Sequence, residues 1–333
     1  MTTMKDRASV AARMDGSLSN GIFAAADEME RRLLGLCRCA PRGWMAEALE
    51  GVVRSGGKRL RPMLGYLGWS LCGRQGEVVP LMVMLELMHT ASLIHDDVVD
   101  GASARRGVPT INWAFGKRAA IQCGDYLLAA AMKYLKLYRG TGINECLAQV
   151  SVEMSSGELW QQKARYHLEE CSLEGYLAQA YRKTACFLAA SCRCGAIAGG
   201  GDEEAQAALE SYGEALGIAF QLRDDLLDYT GGEQFGKQIG QDLRSGTMAA
   251  PILFAVEGGM PPSLCRLLEQ REKSEEQLRQ LCRFIVDSGA LRRTETLVKQ
   301  YSRRAVRALD RLEPCPEREA LAELARSLAA RII

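Results

Sequence analysis

Six aspartates occupy two short segments with the same spacing, DDVVD at 96–100 and DDLLD at 224–228. On a helix, the first and last aspartates of each segment share a face, because they are four residues apart. Like charges at that spacing repel unless a cation lies between them, and Mg²⁺ accepts one or two carboxylates completed by water and phosphate oxygens. A solvated helix face with chance aspartates is the alternative, but both segments lie in apolar surroundings. The two segments therefore predict a magnesium site.

Lysines and arginines are grouped beside these acidic segments. Gly56–Pro62 reads GGKRLRP at a predicted helix start, Arg105 and Arg106 follow the first acidic segment, and Lys183–Thr184 and Lys237 lie nearer the second. Lysine offers a point charge and arginine a planar fork, and both suit phosphate. A surface salt bridge is the alternative for any single cation, but the set as a whole predicts a diphosphate ligand.

Two further polar residues share a face with the acidic segments. His89 precedes Asp96 by seven residues, which is two helical turns, and Gln221 precedes Asp228 by the same interval. Both side chains are therefore included in the candidate site.

The overall composition excludes several classes of protein. The 333 residues contain 42 Lys and Arg against 41 Asp and Glu, a net charge of +1. This balance argues against a general nucleic-acid-binding protein, because a phosphate backbone favours a marked excess of cations. The start of the chain lacks an apolar signal segment, and no stretch reaches the roughly 20 apolar residues of a spanning helix. The 12 scattered cysteines indicate free thiols in a reducing compartment, so we expect a cytoplasmic protein.

The elements that must position these residues are predicted to be helices. No proline occurs between Pro109 and Pro251, and apolar residues from 205 to 226 recur at steps of three and four. Strand-like alternation is hard to find, and glycine-rich loops separate the helical segments. We predict an all-α fold, with residues 1–17 as an N-terminal tail and 18–333 as one domain without a linker.

Four motifs give the chain a specific resemblance. They are GGKRLRP at 56–62, HDDVVD at 95–100 followed by RRGVPT, GDYLL at 124–128, and FQLRDDLLD at 220–228 followed by GKQIGQDL. Over these motifs the chain resembles the trans-isoprenyl diphosphate synthases, the polyprenyl synthetase family, and most of all its medium- and long-chain bacterial members. The resemblance implies that 18–333 is a single catalytic domain, with helices around a deep central cavity and two facing Asp-rich helices.

The resemblance also implies a metal site. Mg²⁺ is the expected cofactor, as three ions when substrate is bound, and Mn²⁺ can substitute. The residues expected to bind the ions directly are Asp96, Asp100, Asp224 and Asp228. Those expected beside the ions are Asp97, Asp225 and Asp242, with Asp228 on the border between the two groups. The six motif aspartates and Lys183 form the expected catalytic set.

Two diphosphates are the implied substrates of a prenyltransferase. The positions that match the isopentenyl diphosphate site are Lys58, Arg61, His89 and Arg106. Those that match the allylic diphosphate site are Arg105, Lys183, Thr184, Gln221 and Lys237. Metal ions and cations would let the allylic C–O bond ionise, and the double bond of isopentenyl diphosphate would attack the cation in a head-to-tail 1′-4 condensation.

Two departures bear on the second site and on the product. Where many family members have a lysine, this chain has Thr247, so one cation near the allylic diphosphate is missing. Small residues, Ala91 and Ser92, precede Asp96 by five and four positions, where bulky aromatics close the cavity of short-chain members. They predict a product of about C30–C50 for quinone side chains, because an open cavity admits a longer tail. Met88 is a candidate for the floor of that cavity.

Several alternatives stay open. A geranylgeranyl or farnesyl diphosphate synthase, with a shorter product, would share these motifs. A catalytic subunit that needs a small partner would keep both acidic motifs, whereas a non-catalytic subunit would be expected to lose them. A class I terpene cyclase has an Asp-rich helix but lacks GGKR. The family resemblance favours a homodimer whose product is handed to the membrane.

Overall fold

The structure is a computed structural model that describes residues 16–230 and 240–330. The predicted N-terminal tail, 1–17, lies almost entirely outside the described residues, and the first helix begins at Gly16. Lys237 also lies outside them. The tail and the single catalytic domain over 18–333 therefore stay predictions.

Helices make up most of the described chain. They are α1 (Gly16–Arg38), α2 (Gly43–Arg54), α3 (Leu60–Leu71), α4 (Val79–Val99), α5 (Ile111–Phe115), α6 (Lys117–Leu135), α7 (Ile143–Ala164), α8 (Leu173–Ala180), α9 (Cys186–Gly199), α10 (Glu203–Thr230), α11 (Gln241–Ser245), α12 (Ala250–Glu257), α13 (Pro262–Leu268), α14 (Glu275–Asp287), α15 (Ala290–Ala308) and α16 (Pro316–Ala330). A π-helical segment, Tyr181–Ala185, joins α8 to α9. Short 3₁₀ segments occupy Lys136–Tyr138, Leu168–Glu170 and Leu309–Arg311.

The strands of the described residues form one small hairpin. Strand β1 (Ala104–Arg105) pairs antiparallel with β2 (Val108–Pro109), and Arg105 lies opposite Val108. The hairpin lies in a segment that the sequence predicts as a loop, and it carries two of the candidate arginines.

The chain folds into two compact units. The first unit runs to Cys146 and adds Ser191–Ala207 and Glu313–Ala320. The second contains Leu147–Ala190 and Ala208–Leu312, and continues from Leu321. The first acidic segment and GGKRLRP belong to the first unit, and the second acidic segment belongs to the second.

In the first unit, α4 is buried on all sides over much of its length and packs against α1, α3 and α6. Every side chain from Leu81 to Leu87 is buried. A helix enclosed on all sides must be apolar all round, which explains the long apolar run before the first acidic segment. Glu86 is the exception within this run. The enclosed helix provides a firm base for His89 and Asp96.

In the second unit, the partly buried helix α10 supports the second acidic segment. Its buried residues, among them Tyr212, Leu216 and Leu222, follow the helical spacing that the sequence shows. A Cβ at Gly217 would overlap the backbone of Ala185, so glycine is required where α10 passes the π-helical segment. The close approach brings Gln221, one turn later, beside that segment.

Two sequence-based expectations concern the whole chain. All 12 cysteines lie in the described residues and are free thiols, several of them only half-buried. Among the described helices, none combines the length and the apolar character needed to cross a membrane.

Candidate active site

The first acidic segment forms the C-terminal end of helix α4. The helix ends at Val99, and the Asp100 amide donates to the Asp96 carbonyl at 2.8 Å, so the helical turn continues through both residues. Asp96 is half-buried and Asp100 is exposed, whereas Asp97 is buried. Successive helical residues point about 100° apart, so the first two aspartates face different directions.

Asp97 faces inward and binds Arg105 of the hairpin. The Arg105 Nε and Nη2 atoms donate to Asp97 Oδ1 at 2.9 and 2.8 Å. This forked contact joins the hairpin to the end of α4. In this structure Asp97 therefore fixes the position of an arginine.

The basic loop before α3 contacts the guanidinium of Arg106 at Gly57. Lys58 is exposed, and the guanidinium of Arg106 passes over Gly57, where a Cβ would lie 2.7 Å from Arg106 Nη1. Gly57 also has φ of 154°, a backbone conformation that disfavours a residue with a side chain, and a Cβ there would displace the Arg106 guanidinium. Arg106 itself has a left-handed φ of 52°.

Arg61 and His89 are brought into direct contact within the first unit. Arg61 Nη1 lies 3.1 Å from His89 Nε2. An arginine can only donate, so His89 accepts at Nε2 and carries its proton on Nδ1. Burial lowers the pKa of His89 well below its usual range, and the charges of Arg61 and Arg106 lower it further. The ring is therefore neutral near pH 7 and contributes hydrogen bonding rather than charge.

In the second unit, the π-helical segment carries Lys183 and Thr184. Lys183 Nζ donates to Gln161 Oε1 of α7 at 2.7 Å, and Thr184 Oγ1 donates to Gln221 Oε1 of α10 at 2.9 Å. A single π turn shifts the register of the following side chains, and such turns are frequent at functional sites. The segment holds two predicted residues, Thr184 and Gln221, against each other.

Asp225 is the buried aspartate of the second acidic segment. Its carboxylate accepts hydrogen bonds from the Tyr176 hydroxyl at 2.5 Å, Gln221 Nε2 at 3.0 Å and the Ala250 amide at 3.3 Å. Burial raises the pKa of Asp225 to about 6, against the lowering effect of these three donors. Burial also raises the pKa of Tyr176 well above its usual value, and the Asp225 charge adds to that.

Asp228 of α10 binds the first amides of the short helix α11. Its two carboxylate oxygens accept from the amides of Gln241 and Asp242, each at 2.9 Å. Carboxylates at a helix start satisfy amides that have no partner within the helix. Burial raises the pKa of Asp242 well above its usual range, and the charges of Asp225 and Asp228 raise it further.

Asp224, by contrast, is exposed, and none of the described side chains or amides donates to its carboxylate. The mutual repulsion that raises the pKa of Asp242 is what a divalent cation would relieve. Within residues 16–230 and 240–330, no three ligating side chains already converge as a metal cluster. Mg²⁺ binds to sites with only one or two carboxylates when phosphate oxygens and water complete its coordination shell, and each unit offers such carboxylates.

The remaining predicted residues have mixed surroundings. Thr247 is half-buried, and its hydroxyl lies 2.9 Å from Ser245 Oγ. Ala91 has no exposed surface, whereas Ser92 and Met88 are half-buried. The roles of these residues stay predictions, but the exposure favours Ser92 and Met88 over Ala91 as residues that a long apolar tail would meet.

A cavity of about 150 Å³ lies beside the π-helical segment, within the second unit. Its lining includes Gln161, Tyr176, Arg182 and Thr247. Two of these residues, Gln161 and Tyr176, are direct partners of Lys183 and Asp225 and therefore belong to the same site.

Sequence reasoning missed several residues that hold the predicted ones in place. They are Tyr176, Gln161, Arg59 and Glu86. Glu86 carried a signal, because a carboxylate inside an enclosed apolar helix requires a buried partner. The inward direction of Asp97 and Asp225 also followed from the 100° step between neighbours on a helix. Tyr176 and Gln161 carried no comparable signal.

Comparisons with known proteins show which family this chain is similar to. A family model described as polyprenyl synthetase matches residues 42–297. The chain is 34% identical over 289 residues to heptaprenyl diphosphate synthase component 2 of Bacillus subtilis (strain 168), covering 86% of this chain and 82% of the relative. It is also 34% identical over 278 residues to octaprenyl diphosphate synthase of Escherichia coli (strain K12), covering 82% of this chain and 86% of the relative.

A solved structure gives the same result for the fold. Polyprenyl synthase from Caulobacter crescentus CB15, complexed with calcium and isoprenyl diphosphate, superposes with a TM-score of 0.88 at 33% identity. The superposition covers 95% of this chain and 97% of that chain. The predicted all-α fold and the resemblance carried by the four motifs are confirmed.

Proposed function

The chain belongs to the polyprenyl synthetase family of prenyltransferases, and on that premise we propose that it is a magnesium-dependent all-trans polyprenyl diphosphate synthase. It joins isopentenyl diphosphate to an allylic diphosphate by head-to-tail 1′-4 condensation. The observation that carries the proposal is that each unit combines an acidic segment with a set of basic and polar side chains of a kind that suits phosphate. Two such sets suit a reaction between two diphosphates.

The first set receives isopentenyl diphosphate. Lys58, Arg61 and Arg106 supply positive charge, and the neutral His89 adds hydrogen bonding. The Arg61–His89 contact and the passage of Arg106 over Gly57 hold these groups before substrate arrives. Holding the reacting double bond in place in this way reduces the entropic part of the barrier.

The second set receives the allylic diphosphate. Lys183 and Thr184 are fixed by Gln161 and Gln221. The family resemblance also assigns Arg105 and Lys237 to the binding of this diphosphate. Asp96, Asp100 and Asp224 are the proposed ligands of Mg²⁺, which would neutralise charge on the departing diphosphate when bound. The side chains keep the leaving group aligned and exclude water from the carbocation. The departing diphosphate then accepts the proton that the product loses. Three Mg²⁺ ions, or Mn²⁺ in their place, belong to the same proposal.

The proposed product is a medium or long prenyl chain, about C30–C50, used as a quinone side chain. Relatives of this chain are named heptaprenyl and octaprenyl diphosphate synthases, which supports this length. The small side chain of Ser92, half-buried near the end of α4, also supports it. A shorter geranylgeranyl or farnesyl product is the alternative.

The proposed assembly is a homodimer formed through α6. Ile121, Leu128 and Met132 are exposed at 46%, 36% and 67%, and their spacing places them on one face of that helix. An exposed apolar stripe of this kind is typical of an interface between proteins. A heteromer is the second candidate, because the Bacillus subtilis relative is named as component 2.

The cytoplasmic location is part of the same proposal, since a chain with 12 free cysteines suits a reducing compartment. From there, the enzyme would hand its lipid product to the membrane.

One assay tests the proposal. The purified chain is incubated alone with Mg²⁺, isopentenyl diphosphate and farnesyl diphosphate, and products are separated by chain length. We expect elongation, and a loss of at least about 100-fold in kcat/KM for Asp224→Asn, because a charged carboxylate ligand of the metal is replaced by a neutral amide. Asp287→Asn, at an exposed aspartate of α14, is the matched control and should retain activity.

The outcomes separate the alternatives. Elongation without a partner eliminates the heteromer, and the length of the product decides between short and long chains. A chain that consumes no isopentenyl diphosphate, alone or with a small partner subunit, refutes the proposed function.

A further inference from the structure

Arg59 is a buried arginine in the middle of the basic loop, and neither diphosphate site uses it. Its exposed fraction is 8%, although both neighbouring cations of the loop, Lys58 and Arg61, are more accessible. Its backbone is left-handed, with φ of 49° and ψ of 38°. That conformation is unfavourable for a residue with a side chain and persists only where surrounding contacts enforce it.

The guanidinium of Arg59 joins three helices. Nε donates to Glu30 Oε1 of α1 at 2.8 Å, and Nη1 donates to Glu86 Oε1 of α4 at 2.5 Å. Nη2 donates to the carbonyl of Val53, in the last turn of α2, at 2.9 Å. Only the planar, five-donor fork of arginine can make these three contacts at once.

The cluster is strongly electrostatic because it is buried. Glu86 is 3% exposed, and burial raises the pKa of its carboxyl, against the lowering effect of Arg59. Burial opposes the charge of Arg59, but Glu86 and Glu30 outweigh it and raise the pKa of the guanidinium. Removing Arg59 would leave the buried Glu86 carboxylate without its cationic partner, which is costly.

The cluster also fixes a distance that the proposed reaction needs. Arg59 lies between Lys58 and Arg61 in the chain, and Glu86 lies three residues before His89 on α4. The Arg59–Glu86 contact therefore holds the loop against α4 close to the Arg61–His89 contact, in which Arg61 Nη1 lies 3.1 Å from His89 Nε2. A shift of the loop by about 1 Å would separate this pair and move Lys58 with it.

We propose that Arg59 is a positioning residue for isopentenyl diphosphate. Held by Glu86 and Glu30, it keeps Lys58, Arg61 and His89 in the arrangement that grips this diphosphate, and it does so without contacting the ligand. The inference rests on the proposed function and adds the residue that sets the affinity of one of its two sites.

The test compares Arg59→Gln, Arg59→Lys and Glu86→Gln with wild type in steady-state kinetics and in calorimetric titration with isopentenyl diphosphate. We expect KM and Kd for isopentenyl diphosphate to rise by about 10- to 100-fold in the two glutamine variants, as for groups misplaced by about 1 Å. Arg59→Lys should be intermediate, because lysine keeps the charge but not the fork. KM for the allylic diphosphate should stay within about twofold. Arg32→Gln, which breaks a half-buried pair with Glu28 of α1, is the matched control.

A double variant separates positioning from general stability. Arg59→Met with Glu86→Leu replaces the ion pair by apolar side chains, and such replacements often preserve stability. We expect its melting temperature to return towards wild type while KM for isopentenyl diphosphate stays raised. Recovery of both quantities, or an equal rise in the KM of both substrates, would show a merely structural role and overturn the inference.

The titration distinguishes this inference from the proposed function. A wild-type protein that neither binds nor elongates isopentenyl diphosphate overturns both. A wild-type protein that does both, beside an Arg59→Gln variant of unchanged affinity, overturns the role of Arg59 alone.

Discussion

Tyr176→Phe removes one hydroxyl and leaves the ring in place, so it isolates a single hydrogen bond. That bond, 2.5 Å from the Tyr176 hydroxyl to Asp225 Oδ2, joins two buried side chains. Without it, Asp225 Oδ2 keeps only the Ala250 amide at 3.3 Å. Asp225 also orients Gln221, which holds Thr184, so the change reaches the allylic site.

The magnitude follows from the charge and burial of the acceptor. Hydrogen bonds to charged groups contribute about 1.5–3 kcal/mol, and a buried carboxylate that loses a donor carries a desolvation penalty. We therefore expect the free energy of unfolding to fall by about 2 kcal/mol. For units of 150–250 residues, 1 kcal/mol shifts Tm by roughly 2–4 °C, so Tm should fall by about 4–8 °C.

Thermal unfolding followed by circular dichroism measures this change, and steady-state kinetics measures its effect on the site. KM for the allylic diphosphate should rise severalfold, and KM for isopentenyl diphosphate should not change. Tyr181→Phe is the control, because Tyr181 is half-buried in the adjoining π-helical segment and its hydroxyl makes no hydrogen bond within the described residues. If both variants melt within about 1 °C of wild type, the buried bond does not stabilise the protein and the reasoning fails.

Two further predictions concern the first unit. His89→Gln should remove one pH dependence of stability. Because the pKa of His89 is lowered in the folded state, the free energy of unfolding of wild type falls as the pH drops below about 6.5, by at most about 1.4 kcal/mol per pH unit. The variant lacks that contribution. Urea unfolding at pH 7.5 and 5.5 measures it, and a constant difference between the two proteins would contradict a neutral His89. Ser92→Phe should shorten the product, because Ser92 is half-buried. Ala91→Phe, at a fully buried site, should mainly lower the free energy of unfolding, by about 1–3 kcal/mol, through overpacking. Product chromatography with melting curves checks both, and an unchanged chain length in Ser92→Phe would refute the role of Ser92 in admitting a long product.

The sequence predicted those features that depend on short-range pattern. The distribution of proline and apolar residues predicted the all-α fold, and the diglycine of GGKRLRP correctly marked the start of α3 at Leu60. The same holds for the helical position of both acidic segments. These features depend on helix period and on local chain stiffness, which a sequence displays directly.

Features that depend on contacts distant in sequence could not be predicted. Tyr176 lies 49 residues from Asp225, and no local pattern links them. The π-helical segment at Tyr181–Ala185 follows an ordinary helical sequence, and only the close passage of Gly217 gives it a structural reason. Arg59 looked like one more exposed cation, because its burial depends on carboxylates from two other helices.

The motif aspartates that bind other groups of the protein also affect how it would bind magnesium in a cell. Asp97 accepts from Arg105, Asp225 accepts from three donors and Asp228 accepts from two backbone amides, so these carboxylates are already engaged within the protein. A chain whose oxygens are engaged in this way offers few to an ion that comes alone, and Mg²⁺ favours sites that phosphate oxygens complete. Under the proposed function, the enzyme would respond to the supply of magnesium-complexed diphosphate rather than to free magnesium. Scarcity of substrate would then release the metal as well, and the resting enzyme would not compete for the cell's magnesium.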